Sequence, residues 1–244
     1  MPIGHDSPLR LLPANLDRRQ MLFFDGIRVA TEMAESAYHR LAHSLQQAAT
    51  NTIAPEDLPK LVPLCFLDAW SIVDSTNRLR VLLQRLPRFK QRAPSLQLFY
   101  RRTEGVVPLR NSVQHLDGEI DRLARDNYSV WGTLTWMVLM DAQIGRFTVG
   151  TLASGTQFGG AHPLPNPAGI SMHSTVDHVT LVAGGLELDL SEVVRSIVEF
   201  IQKLEGVIAP QSSGHAIAPS DFLILAEMVA AHAQDSSEPG NPAT

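Results

Sequence analysis

The sequence predicts an α+β fold: an N-terminal antiparallel helical bundle followed by a small antiparallel sheet with C-terminal helices. Three observations carry that expectation. From Leu16 to about Asp126, apolar residues recur at steps of three and four, which places them on one stripe of a helix. After Asn127 the period drops to two, in runs bounded by glycine-containing turns, as strands with one buried face require. The chain has 244 residues, is 44% hydrophobic and 18% charged, and holds a single cysteine, so a large core rather than a disulfide framework must hold it together.

The first helix is expected over Leu16 to Ala49, with Phe24, Ile27, Thr31, Ala34, Tyr38, Leu41 and Leu45 inward. The stretch Asn51 to Pro55 breaks it. A second long helix follows from about Leu58 to Leu86, with the stripe Leu58, Leu61, Cys65, Ala69, Ile72, Thr76, Leu79, Leu83 and Leu86. Pro59 fits its first turn, while Pro63 either kinks it or marks its start. Two such helices joined by a short connection pack antiparallel. Pro87 and Pro94 bracket a basic connection, and Ser95 to Arg102 reads as a short helix. Pro108 opens the next helix, which runs to about Asp126 and buries Leu109, Val113, Leu116, Ile120 and Leu123.

Val130–Met140, Phe147–Leu152, Val176–Val182 and the shorter Leu186–Leu190 read as strands, with hairpin turns at Gln143-Ile144-Gly145 and Ala183-Gly184-Gly185. Ser154–Gly169, rich in Gly and Pro, is an expected exposed loop. Ser191 is expected to cap a helix ending near Leu204, and a last helix is expected near Ser220–His232 before a disordered tail. Trp70, Trp131 and Trp136 read as core residues, and Cys65 as a small buried one. The units so defined are a bundle over 16–126, a sheet with one helix over 127–207, and a terminal helix and tail over 208–244.

Charge is distributed unevenly. Ser75 to Thr103 holds eight basic residues and no acid: Arg78, Arg80, Arg85, Arg88, Lys90, Arg92, Arg101 and Arg102. The whole chain is −5, which leaves −13 on the other 215 residues. Such a run serves either an anionic partner or pairing with first-helix acids such as Asp17, Asp25, Glu32 and Glu35. No N-terminal run has signal-peptide character and no apolar run is long enough to span a membrane, so the expectation is a cytoplasmic protein without a membrane partner.

At the end of the basic region stands Leu109-Arg110-Asn111-Ser112-Val113-Gln114-His115. A cation in a helix's first turn opposes the macrodipole, and a bound anion would account for Arg110 there. Asn111 and His115, four residues apart, share a helix face; Arg110 lies about 140° away from His115 around an ideal helix, so its long side chain must swing to reach the same pocket. An imidazole titrating near neutrality can move a proton at a ribose hydroxyl or a leaving oxygen, and a guanidinium can hold the phosphate.

Arg110-Asn111-x-x-x-His115 resembles the hallmark of the HEPN superfamily (higher eukaryotes and prokaryotes nucleotide-binding). That hallmark is an Arg, often followed by a polar residue, and a His four to six residues on, on the last helix of a four-helix bundle. The resemblance covers roughly residues 16–126. It implies an RNA-directed module, and in the catalytic case a metal-independent endoribonuclease of a bacterial defence or toxin type. Its Arg110, Asn111 and His115 would then act across a homodimer interface, with a cognate antitoxin or protein partner. It equally implies the alternative of a non-catalytic dimerisation or partner-binding scaffold, since many such domains are scaffolds.

Other candidates follow from this pattern. Arg78, Arg85, Arg88, Arg92, Arg101 and Arg102 are the nucleic-acid contacts to expect, with Phe99 and Tyr100 either stacking on bases or buried. Asp68 and Asp74 either orient His115 or pair with neighbouring Arg, Asp74 and Arg78 being an i,i+4 pair. His162, His173 and His178 do not suit a shared metal, and no phosphate-loop or nucleophile-elbow pattern is present, so no cofactor is expected.

Overall fold

The computed structural model describes residues 3–50, 53–114, 116–155, 164–166, 169–212, 216–218 and 220–225. Helix α1 spans Arg18–Ala49 and α2 spans Leu58–Arg85. The Asp17 carboxylate starts α1 by accepting the Gln20 N–H at 2.8 Å, which satisfies one of the first-turn donors. A 3₁₀ turn, Pro55–Asp57, leads into α2, which runs on through Pro63. The two helices pack along their length, with Ile27, Ala34, Leu41 and Leu45 of α1 and Cys65, Ala69, Ile72, Leu79 and Leu83 of α2 fully buried. Leu58, expected on the buried stripe, is exposed instead, because it stands in the first turn of α2.

Helix α3 spans Pro94–Arg102, α4 spans Val106–Gln114 and α5 spans Leu116–Arg125. Residue 115, between α4 and α5, lies outside the described residues; the helical stretch begins at Val106, two residues before the expected Pro108, because Val106 is buried and anchors the first turn. Leu109 and Leu123 are buried as expected, whereas Ile120 is exposed.

Strands β1 (Thr133–Asp141), β2 (Arg146–Ala153), β3 (Val176–Ala183) and β4 (Leu186–Asp189) form one antiparallel sheet in the order β2-β1-β3-β4. Gly184 and Gly185, both at positive φ, make the two-residue β3–β4 turn. Between β1 and β3 the register slips: Thr135 faces Thr180 but Met137 faces Asp177, so His178 and Val179 stand opposite Trp136 alone. That bulge puts His178 at φ 52°, in the left-handed region. Helix α6 spans Leu190–Ser212. It outlasts the expected end at Leu204 because Ile208 continues the buried stripe another turn.

Several local expectations need correction. Asp189, not Ser191, caps α6, accepting the Glu192 N–H at 2.9 Å. The Ser191 hydroxyl instead accepts the Val179 N–H and the Tyr38 O–H, joining α6, β3 and α1. Residues 220–225 are not helical, and the Asp221 carboxylate there is held by Arg28 at 2.6 Å; residues 226–244, with the rest of that expected helix and the tail, lie outside the described residues. Of the three tryptophans only Trp136 is buried; Trp131 is 49% exposed, and Trp70 is half-buried and donates to the Trp131 carbonyl. Most of the expected loop at Ser154–Gly169, including His162, is not described.

One hydrophobic core runs through both halves. It joins Leu41 and Leu79 of the bundle to Leu134 and Val179 of the sheet and to Val193, Ile197 and Phe200 of α6. The segment before α1 adds Ile3, Leu9 and Leu12 to the buried set, which no periodicity announced. No helix among the described residues is long and apolar enough to cross a membrane.

Candidate functional site

Arg110 sits on the second turn of α4, beside the middle of α2. Buried Val106 and Leu109 fix the rotation of α4, which leaves Arg110 28% exposed and Asn111 open to solvent. The Arg110 Nε donates to Asp74 Oδ1 at 2.9 Å. The other oxygen of the same carboxylate accepts from Arg78 Nε at 2.8 Å. Burial pushes the Asp74 carboxyl up, but hydrogen bonds from Arg110 and Arg78, with their charges, outweigh it and hold the group below its usual value. The three side chains together carry one net positive charge at neutral pH, with Asp74 39% and Arg78 65% exposed.

The rest of the basic run is sorted by the fold. Asp74, Arg78 and Arg85, spaced at four and seven residues, share one outer face of α2 and span about 17 Å along its axis. Arg85, Arg88, Arg92, Lys90 and Arg101 are exposed and make no ion pair with a described residue. Arg102 is engaged by Glu199 at 2.8 Å and Glu192 at 3.5 Å on α6. Arg80 turns inward: it donates to the Tyr100 carbonyl and the Thr103 hydroxyl, ties α2 to the end of α3, and lies over the Tyr100 ring. The expected pairing of this run with first-helix acids does not occur, because Glu32 is taken by Arg10 and Arg28 and Glu35 by His39. Phe99 is buried against Phe200 at 5.1 Å between ring centres, and Tyr100 is half-buried with Arg80 over its ring, so neither ring offers an open stacking platform; burial pushes the Tyr100 hydroxyl up to about 12 against the opposing charge of Arg80.

Asp68 does not face Arg110. It is buried and held by Arg40 of α1 at 2.5 Å. His115, the other half of the motif, lies outside the described residues. His178 pairs with Asp189 at 3.7 Å and with the Ser171 carbonyl, and no group of three or more His, Cys, Asp or Glu among the described residues is arranged to hold a metal ion.

Two features had no sequence signal. Asp177, fully buried, accepts from Arg195 and from the N–H groups of His173 and His178; burial raises its pKa, and those bonds more than reverse the effect. A cleft of about 600 Å³ also opens where the start of α1, the α2–α3 connection and α6 meet. Comparison with known protein families, with curated proteins and with solved structures gives no match.

Proposed function

We propose that this protein is an RNA-directed, HEPN-like module that cleaves RNA without a metal ion, using Arg110 and His115. The observation that carries the reading is the Arg110–Asp74–Arg78 cluster: two guanidiniums on one carboxylate, partly exposed, heading a basic face on α2. A phosphodiester entering there meets a surplus of positive charge and can displace an exposed Asp74 oxygen by the same hydrogen-bonding geometry. Arg78 and Arg85 continue that charge along the helix for a backbone running across it.

The chemistry asks little more of the protein. His115 takes the proton of a ribose 2′-hydroxyl, whose oxygen attacks phosphorus. The bond to the 5′-oxygen breaks, and a protonated imidazole supplies that oxygen with a proton. The products are a 2′,3′-cyclic phosphate and a 5′-hydroxyl. One imidazole cannot be base and acid in a single concerted step, so a second copy of the chain supplies the other. Asn111, exposed beside Arg110, orients the phosphate.

The test is labelled RNA incubated with purified protein in EDTA. Cleavage that survives chelation and is lost in His115→Ala and Arg110→Ala is the expected result. Cleavage undiminished in His115→Ala overturns the mechanism. A second reading rests on the ion pair itself: Arg110 acts only as a clamp fastening α4 to α2 within a scaffold. That reading expects no cleavage and no salt-dependent RNA retention by the wild type, with Arg110→Ala changing melting temperature alone.

A further inference from the structure

A cleft lined by described residues lies away from the Arg110 cluster and has a distinct chemistry. Its volume is about 600 Å³, within the ordinary range for small-molecule sites. Its floor is aliphatic and aromatic: Leu86, Phe200, Leu204 and Ile208 are all buried core residues that show a face to the cleft. Phe24 and Phe89, half-buried, form its sides.

Three cations reach it from two separate elements. Arg88 and Lys90 come from the α2–α3 connection and Lys203 from α6. None of the three is paired with a carboxylate among the described residues, and no Asp or Glu lines the cleft. Gln20 and Ser95 are its only uncharged polar side chains. The connection that presents two of the cations is held in place, since the Gln91 side chain donates to the Leu83 carbonyl at 2.8 Å and the Gln91 backbone carbonyl accepts from the Gln97 side chain at 2.7 Å. Arg88 itself stands at φ 59°, a conformation costly for a residue with a β-carbon and kept only where the surroundings impose it.

An apolar trough ringed by unneutralised cations matches a molecule with the opposite plan: a hydrocarbon body and one anionic head. A nucleobase suits it less, because two polar side chains leave most of a base's edge groups without partners. We infer that this cleft binds an aliphatic carboxylate of medium chain length, its head between Arg88, Lys90 and Lys203 and its chain on Leu86, Phe200 and Leu204. The assignment is independent of the nuclease reading.

The experiment is calorimetric titration of the full chain with dodecanoate below its micelle concentration. One site per chain is expected, and affinity should fall about tenfold for each two carbons removed, from dodecanoate through decanoate to octanoate. Arg88→Gln combined with Lys203→Gln changes only exposed side chains and should weaken dodecanoate at least tenfold, and Val207→Asp at the open rim should do the same. Arg110→Ala should bind dodecanoate as the wild type does, whatever its effect on RNA. Equal affinity for dodecyltrimethylammonium, no dependence on chain length, attachment only to phosphatidylglycerol vesicles, or no effect of the double variant in a protein with wild-type circular dichroism would each overturn the assignment.

Discussion

At Asp74 a single carboxylate decides how two arginines are used. It lies 36 residues from Arg110, so no local pattern could reveal the pair, and the sequence paired Asp74 only with Arg78 at i,i+4. The motif residues Arg110 and Asn111 were legible because their spacing is local; their electrostatic partner was not, because it depends on how α4 docks on α2. Two expectations follow. Asp74→Asn removes the negative charge and leaves two guanidiniums on the same face, so RNA retention should shift to higher salt than wild type, whereas a clamp-only role leaves it unchanged. The pH dependence has a definite sign. The folded carboxyl titrates below its unfolded value of about 3.9, so its stabilising contribution is complete above that value and is lost as pH falls through the folded one. Being more than a third exposed, the cluster contributes below about 1 kcal/mol. Melting curves between pH 6 and 3 should therefore fall slightly more steeply for the wild type than for Asp74→Asn, and parallel curves would show that the ion pair does not stabilise the fold.

Among elements, the two long helices and the four strands were readable from periodicity because each buries one face repeatedly: every inward α2 residue from Leu61 to Leu83 is buried, and strand bounds shift by three residues at most. What escaped were features set by contacts between elements. The inward turn of Arg80 and the β1–β3 bulge at His178 both depend on a neighbour distant in sequence. The pairing of Trp136 with Gly150 belongs to this class. They face each other across β1 and β2, and the indole lies over the glycine, where a β-carbon at position 150 would stand 2.3 Å from the ring. Neither can move freely, since Trp136 is 4% exposed and packed in the core. Gly150→Ala should destabilise by about 1–3 kcal/mol through overpacking. Combining it with Trp136→Leu should cost less than the two changes added together, because the smaller side chain removes the clash. Denaturant midpoints of the four proteins check this, and strict additivity would show that the close approach is not what requires glycine.

For the whole molecule, the change of period near Asn127 marks a change of secondary structure within a core that continues across it. Helix α6 is the joint: Phe200 stacks on Phe99 of α3 and lines the cationic cleft, and on the same helix Val193 and Ile197 join the core cluster that holds Val179 of β3. The segment before α1 adds a second tie, its Ser7 hydroxyl bonded to Glu205 and its Leu12 carbonyl accepting the Ala218 N–H. A core shared in this way does not let the bundle melt while the sheet persists. Helix content followed at 222 nm and tryptophan fluorescence, which reads Trp136 in the sheet, Trp70 on α2 and the more exposed Trp131, should give coincident thermal transitions. Phe200→Ala leaves a cavity between α3 and α6 and should cost about 3–5 kcal/mol, lowering the midpoint by roughly 10 °C for a chain of this size. Both probes should shift by the same amount, because stability lost at the joint is lost to bundle and sheet together. If the fluorescence transition stayed in place while helix signal moved, the two halves would be thermodynamically separate despite their common core.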